Sequence, residues 1–141
     1  MSDLKALVYV SSAAYELSDE KIKHILGRAR DRNIEHHVTG VLLFIGGNFM
    51  QYIEGPADEL DLIYSIIKAD PDHKGLIELM HHAIEARDFS SWSMAYCTKN
   101  RAVLVGDQND QQILGGKLGG GAYMETPARI LLRNFWSKNS P

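Results

Sequence analysis

The most constraining feature of the sequence is a pair of apolar segments joined by a short glycine-rich turn. Residues 38–45 are almost continuously apolar, Gly46-Gly47-Asn48 follows, and residues 49–54 form the second segment. A short apolar run bounded by turn residues predicts a strand that is covered on both faces. Two such strands around a glycine turn predict an antiparallel hairpin. The chain must therefore build other elements that cover a buried sheet.

Two amphipathic helices supply candidates for that cover. Ser18 is a suitable N-cap for a helix over residues 19–32, and apolar side chains recur on one face of it. Gly55-Pro56 starts a second helix, which Asp70-Pro71 ends. The apolar stripes are Ile22, Ile25, Leu26 and Ala29 in the first helix, and Leu60, Ile63, Tyr64 and Ile67 in the second.

Three more segments have the character of strands: residues 4–11, 76–84 and 92–97. The predicted order is therefore βαββαββ. Two helices that alternate with strands predict an α+β, ferredoxin-like sandwich, with a mixed five-stranded sheet and both helices on one face.

The composition changes after residue 98. Residues 115–121 are rich in glycine, and Thr126-Pro127 opens a last helix that runs to about Ser137. Its apolar residues predict that this C-terminal helical extension covers the other face of the sheet. We therefore expect two parts, a folded domain over residues 1–98 and an extension over residues 99–141. The extension is too short for a second catalytic domain.

Composition excludes several classes of protein. Fifteen Lys plus Arg against 18 Asp plus Glu give a net charge of −3, so direct binding to nucleic acid is not expected. Cys97 is the only cysteine, which excludes an internal disulfide. No apolar run approaches the roughly 20 residues that cross a bilayer, and no signal peptide is recognisable. We expect a cytoplasmic protein without a membrane role.

Two polar side chains lie on apolar strands. Gln51 shares a strand face with Phe49 and Ile53, and a buried amide there needs partners from neighbours or from a ligand. The alternative is an edge strand with Gln51 in water. Tyr9, between Val8 and Val10, is the second candidate, although buried tyrosines are most often simply packed.

The other candidates are weaker on their own. Asn33 ends the predicted first helix, where asparagine is a common C-cap. Trp92 and Met94 share a strand face, as core residues also do. The histidines do not form a zinc-binding pattern, and there is no phosphate loop or nucleophile elbow, so no metal site is expected.

Taken together, residues 3 to about 98 resemble the BLUF family of flavin-binding blue-light sensors. Six blocks in chain order carry the resemblance: Leu7-Val8-Tyr9-Val10-Ser11, Arg32-Asn33, Val38-Thr39-Gly40-Val41-Leu42, Gly47-Asn48-Phe49-Met50-Gln51-Tyr52-Ile53-Glu54-Gly55, Asp70-Pro71-Asp72-His73 and Phe89-Ser90-Ser91-Trp92-Ser93-Met94.

The resemblance implies a non-covalently bound flavin, normally FAD with FMN as the alternative, between the two helices and the sheet. It implies that Ile25 and Ile67 sandwich the ring and that Asn33 bonds its polar edge. Where many relatives have an arginine, this chain has Ile66, so a ring-carbonyl contact is absent or comes from Lys68. The implied cofactor-binding set is Tyr9, Ile25, Asn33, Gln51, Ile67, Lys68, Asp70 and His73.

The resemblance also implies the photochemistry. Tyr9 passes an electron and a proton to the excited flavin, and Gln51 then rearranges its hydrogen bonds, which shifts the spectrum to the red. Trp92 and Met94 match the pair that carries the change into the last predicted strand. The expected role is that of a sensor and not an enzyme, with an output through a downstream partner protein or a change of homo-oligomer.

Two other functions stay open from the residues alone. The first is a small ferredoxin-like enzyme that uses His81 or His82 as a base. The second is a flavin-free binding module that has lost the cofactor through the change at Ile66. The visible colour of the purified protein separates both from a flavin-based sensor.

Overall fold

The elements of the protein follow the order βαββαβββ in a computed structural model. The structure describes residues 3–89, 92–98, 101–105 and 130–135, with the backbone alone for 92–98 and 101–105. The elements are β1 (Leu4–Ala13), α1 (Asp19–Glu35), β2 (Thr39–Ile45), β3 (Asn48–Pro56), α2 (Ala57–Ala69), β4 (His73–Ile84), β5 (Trp92–Thr98) and β6 (Arg101–Val105).

All the strands belong to one sheet in the order β4-β1-β3-β2-β5-β6. The pairs β4–β1, β1–β3 and β3–β2 are antiparallel. β2 and β5 are parallel, and β5 and β6 are antiparallel. The α+β class and the β2–β3 hairpin are as predicted. The prediction of five strands is wrong, because residues 101–105 pair with β5 as a sixth strand at the sheet edge. This strand also lies beyond the predicted boundary at residue 98.

Both helices pack against one face of the sheet, which we call the helix face. Their apolar stripes form a buried cluster with side chains of β1, β2 and β3, including Leu7, Leu42 and Ile53. Ser18 caps α1 by accepting a hydrogen bond from the Lys21 amide at 3.2 Å. The predicted apolar stripes therefore place α1 and α2 correctly.

The opposite face, which we call the second face, has its own buried cluster. It contains alternate residues of β1, β2 and β3 together with Phe89 and Leu132. Leu132 belongs to residues 130–135, which are helical and form the described part of the predicted terminal helix. The rest of that helix and the glycine-rich stretch 115–121 lie outside the described residues. No helix in the described part is long and apolar enough to cross a membrane.

Gly40 allows β2 to lie close against β3. Its φ is +145°, and a Cβ added there would lie 2.0 Å from the backbone oxygen of Tyr52. Only glycine avoids this contact, because any side chain begins with a Cβ. Gly40 also pairs with Trp92 of β5, so this close approach lies where three strands meet.

Candidate functional site

A pocket opens between α1, α2 and the helix face of the sheet. Its volume is about 400 Å³ when its open mouth is included. Aliphatic side chains form its walls, and polar side chains from β1 and β3 form its floor. The lining residues are Tyr9, Ile25, Arg28, Ala29, Arg32, Leu42, Phe49, Gln51, Ile67, Asp70, Asp72 and His73.

Tyr9 and Gln51 form the polar floor of the pocket. They are direct partners in the antiparallel pairing of β1 with β3, so their side chains lie next to each other on one face. Both are buried, and Gln51 Nε2 donates a hydrogen bond to Tyr9 Oη. The alternative of an edge strand with Gln51 in water is therefore wrong, since β3 lies between β1 and β2.

Asn33 joins this pair from α1. Its Nδ2 donates to Gln51 Oε1 at 3.3 Å, and its side chain is fully buried. The interpretation of Asn33 as a C-cap is wrong, because α1 continues to Glu35 and ends at His36, with the positive φ of 61° at His37. Asn33 lies four residues after Ala29 and so continues the buried stripe of the helix.

The three buried polar side chains have donors left over. Each amide nitrogen carries two N–H groups, yet among the described residues Asn33 Nδ2 and Gln51 Nε2 each have one acceptor. The Tyr9 hydroxyl has no acceptor in the same set of hydrogen bonds. Because buried polar groups are normally paired, the floor of the pocket suits a ligand that presents acceptor atoms.

The walls suit a flat ring. Ile25 of α1 and Ile67 of α2 are both buried and line the pocket from the two helices. A slot with aliphatic walls and a donor-rich polar edge fits a planar heteroaromatic ring with carbonyl and ring-nitrogen acceptors. The residues present therefore fit the ring of a flavin.

Burial controls the charge state of the floor. It raises the pKa of Tyr9 well above its usual range, although the hydrogen bond from Gln51 and the charge of Arg32 oppose that effect. Tyr9 is therefore a neutral phenol at neutral pH and retains its proton. Burial also lowers the pKa of the Arg32 guanidinium.

The mouth of the pocket lies at the turn from α2 into β4. His73 Nδ1 is 2.8 Å from Ser11 Oγ, and burial lowers the pKa of His73, with the charges of Asp70 and Asp72 opposing. Asp70 Oδ1 accepts from the Asp72 amide at 2.8 Å. Tyr15 Oη donates to Asp72 Oδ1 at 2.5 Å. The mouth therefore carries fixed carboxylates beside a neutral imidazole.

Comparison with known proteins identifies the family. Residues 4–95 match the family model described as BLUF, sensors of blue-light using FAD. The chain belongs to the BLUF family. It is 36% identical over 91 residues to the blue light- and temperature-regulated antirepressor BluF of Escherichia coli (strain K12), a match that covers 64% of this chain and 23% of that protein.

Solved structures of BLUF proteins match as well. The dark-state structure of BlrB, a BLUF protein, is 35% identical with a TM-score of 0.62, covering 68% of this chain and 73% of that chain. The structure of Klebsiella pneumoniae BlrP1 with FMN and cyclic diGMP is 31% identical with a TM-score of 0.59, covering 67% and 25%. BLUF domains bind a flavin, either FAD or FMN.

Some of the predicted site residues of this BLUF domain lie elsewhere. Lys68 does not line the pocket, since its Nζ lies 4.4 Å from the centroid of the Tyr64 ring. Ile66 is 41% exposed and also lies outside the pocket lining. The β5 backbone pairs Trp92 with Gly40 and Met94 with Leu42. Their side chains lie outside the described part of the chain.

Several pocket residues of the BLUF domain were not singled out from the sequence. Ala29 and Phe49 were detectable, because Ala29 belongs to the helix stripe and Phe49 shares a face with Gln51. Arg32 and Asp72 stand in the blocks that resemble the BLUF family but were given no role there, and Arg28 carries no such signal. The residues missed are Arg28, Ala29, Arg32, Leu42, Phe49 and Asp72.

The histidines proposed as enzymatic bases lie outside the pocket. His81 Nε2 is 3.6 Å from Asp61 Oδ1, His81 Nδ1 is 3.5 Å from Glu78 Oε1, and His81 is not among the lining residues. His82 is exposed. Within the described ranges there is no group of three or more His, Cys, Asp or Glu that could hold a metal.

Proposed function

We propose that this chain senses blue light through a flavin bound in the pocket between α1 and α2. The observation that carries the proposal is the buried series Asn33–Gln51–Tyr9, which is hydrogen-bonded in a row and of which Gln51 and Tyr9 line the pocket. Membership of the BLUF family supports the same function.

The residues that would hold the flavin divide into walls, edge and mouth. Ile25 and Ile67 would be the walls, Gln51 would supply an amide donor to the polar edge, and Asn33, which bonds Gln51 from behind the lining, would supply a second. Asp70 and His73 also line the pocket and would contact the cofactor where α2 leads into β4. We propose FAD as the natural cofactor, with FMN as the alternative.

Tyr9 and Gln51 would carry the response to light. When bound, the flavin absorbs blue light and becomes an electron acceptor. Tyr9 is a neutral phenol that can release an electron and a proton. Gln51 now turns its N–H toward Tyr9, and exchanging the ends of the amide would turn Oε1 toward Tyr9 instead. The phenol would then be the donor, and the bonds that Gln51 offers the cofactor would change.

β5 is the proposed route out of the site. Leu42 lines the pocket and pairs directly with Met94. Leu42 pairs with Gln51 on its other side. A change at Gln51 in β3 therefore has only β2 to cross before it reaches Met94 in β5. We include Trp92 and Met94 as residues of the response, because both lie on the strand that pairs with β2 beside Leu42.

The output proposed is a light-dependent interaction and not catalysis by this chain. One relative is named an antirepressor and another a photoactivated adenylate cyclase subunit, and the chain spans 23% and 12% of those proteins. We propose a cytoplasmic sensor, with a flavin-binding domain over residues 1–98 and an extension over residues 99–141 that contacts the second face through Leu132. Elution and partner capture that are identical in the dark and under blue light would contradict this output.

The absorption spectrum of the purified chain, in the dark and just after blue light, tests the function. We expect a flavin spectrum with a small, reversible red shift. Gln51→Leu keeps the bulk but removes every amide bond, so flavin should remain bound while the shift is lost. Tyr9→Phe should also lose it, whereas Tyr52→Phe, which changes a buried tyrosine on the second face, should retain it. Flavin that only bleaches, or a normal shift in Gln51→Leu, would refute the mechanism.

A further inference from the structure

A second buried polar group lies on β3, three residues beyond Gln51 and in contact with the second face. The Glu54 carboxylate is completely buried. Oε1 accepts from Tyr52 Oη at 2.5 Å and from the Asp88 amide at 2.8 Å, and Oε2 accepts from the Phe89 amide at 2.6 Å. None of the ion pairs in the described part of the chain includes Glu54, and the donors to its two oxygens are uncharged groups.

Neighbouring side chains tie the same segment to the start of β2. Thr39 Oγ1 donates to the Phe89 carbonyl oxygen at 3.0 Å. Arg87 donates to Thr39 Oγ1 at 2.8 Å, to the His37 carbonyl oxygen at 2.8 Å and to the Glu54 carbonyl oxygen at 3.2 Å. We call this set of side chains, Glu54, Thr39 and Arg87, the crossover clamp.

The clamp acts on the connection between β4 and β5. β4 lies at one edge of the sheet, and the chain must pass β1, β3 and β2 to reach β5. Four strand spacings make about 19 Å, and residues 85–91 can span at most about 25 Å, so the connection has little slack. Glu54 accepts hydrogen bonds from the Asp88 and Phe89 amides of this connection, shortly before β5 begins at Trp92.

The hydrogen bonds from Glu54 to this connection bear on the register of β5 against β2. β2 and β5 are parallel, so no hairpin turn sets which residues pair. A shift of one residue would move every side chain of β5 to the opposite face of the sheet. Trp92 and Met94 are opposite Gly40 and Leu42 only in the observed register.

We propose that the crossover clamp, with the Glu54 carboxylate at its centre, fixes the register of β5 on β2. Glu54 is thus a positioning residue that acts on the flavin pocket through β5. Where it concerns light, this inference rests on the proposed function, because the register determines which β5 residue pairs with Leu42 of the pocket lining. Its effect on register is independent of the flavin.

The main test replaces Glu54 by glutamine in the full chain. Glu54→Gln conserves size but turns an NH₂ group toward the amides that the carboxylate now accepts. We expect the amides of residues 88, 89 and 92–98 to exchange with solvent roughly tenfold faster or more, while those of α1 and β1 keep their rates. We also expect loss of the cross-strand nuclear Overhauser effect between the backbones of Leu42 and Met94, which reports the register directly.

Two further variants keep the test decisive. Tyr52→Phe removes one donor and leaves both backbone amides on the carboxylate, so it is the matched control and should keep the β5 exchange rates. If Glu54→Gln does not fold, Arg87→Gln removes the outer ties and should raise the same exchange rates by a smaller factor. Unchanged β5 exchange and register in the variants, or equal acceleration in β1 and α1, would overturn the proposal.

The absorption spectrum separates failure of this inference from failure of the proposed function. If the wild-type chain shows no red shift, light sensing is refuted, while the register measurements in the dark still decide the role of Glu54. If the wild-type chain shifts and Glu54→Gln keeps the β5 register, the clamp is refuted alone. With a working clamp, Glu54→Gln should bind flavin and give an altered shift, because the displaced β5 pairs with β2 at Leu42 of the pocket lining.

Discussion

β3 carries two buried polar side chains that differ in how completely they are paired. Gln51 lies on the helix face with one described acceptor for its NH₂ group and one donor, Asn33, for its oxygen. Glu54 lies three residues away toward the second face and accepts from the Tyr52 hydroxyl and two backbone amides. The strand thus has an adaptable amide on one face and a fixed carboxylate on the other.

The difference follows from the chemistry of the two groups. An amide has a donor end and an acceptor end, so it can exchange them and still form hydrogen bonds. The two Glu54 oxygens both accept, and all of their described partners are donors held by the fold, so the group has a single satisfactory arrangement. Gln51 therefore suits a site that responds, and Glu54 suits a site that holds the surrounding backbone in place.

The largest effect should come from Gly40→Ala, which disrupts the contact of β2 with β3 and so affects the surroundings of both Gln51 and Glu54. Its Cβ would meet the Tyr52 backbone oxygen at 2.0 Å, and backbone cannot move aside as a flexible side chain does. We expect a loss of roughly 4 kcal/mol or more in the free energy of unfolding, measured by urea denaturation. The control is Gly27→Ala in α1, where the added Cβ meets nothing within 4 Å. This helix substitution should gain about 1 kcal/mol, and similar losses in both variants would contradict the explanation.

A pair of leucine substitutions compares the two polar groups directly. Glu54→Leu removes the carboxylate that accepts from the Asp88 and Phe89 amides. The substitution should cost roughly 3 to 5 kcal/mol of unfolding free energy. Gln51→Leu removes an amide that was only partly paired, and water can enter the open pocket, so its cost should be about 1 kcal/mol. Urea denaturation of the flavin-free proteins measures both. Equal losses would mean that Glu54 and Gln51 are equally well satisfied.

The smallest effects are slopes of stability with pH, which should have opposite signs on the two faces. Burial raises the pKa of Glu54 above its ordinary value of 4.5, with Asp88 adding to the rise and the bonds from Tyr52, Asp88 and Phe89 opposing it. The folded state then binds more protons than the unfolded state above pH 4.5. This contribution to stability is complete below that pH and is lost as the pH rises through the folded pKa.

His73 on the helix face should behave in the opposite way. Burial lowers its pKa from the ordinary value of 6.5, with Arg32 adding to the fall and Asp70 and Asp72 opposing it. Its contribution is complete above pH 6.5 and is lost as the pH falls through the folded pKa. Urea midpoints measured across pH test both slopes. Glu54→Gln should remove the loss of stability with rising pH, and His73→Asn should remove the loss of stability with falling pH. A variant with an unchanged slope would exclude that residue as its source.

Local patterns predicted much of this molecule and failed at identifiable points. The helix stripes and the glycine turn placed α1, α2 and the hairpin, because periodicity and turn chemistry act within a few residues. β6 was missed because residues 101–105 follow a change in composition that favoured a tail. Asn33 shows the limit within one residue: its identity favoured a cap, whereas its place on the buried stripe put it beside Gln51.

The sequence by itself determined both helices of the helix face, the strands other than β6, their buried faces, and the BLUF resemblance with Tyr9 and Gln51 as its central pair. Only the tertiary structure decided which polar groups meet. Gln51 bonds a residue 42 positions away in β1 and another 18 positions away in α1. Glu54 bonds amides 34 and 35 positions away. Such contacts depend on sheet order and strand register, which are set by the packing of the whole domain and not by any local pattern.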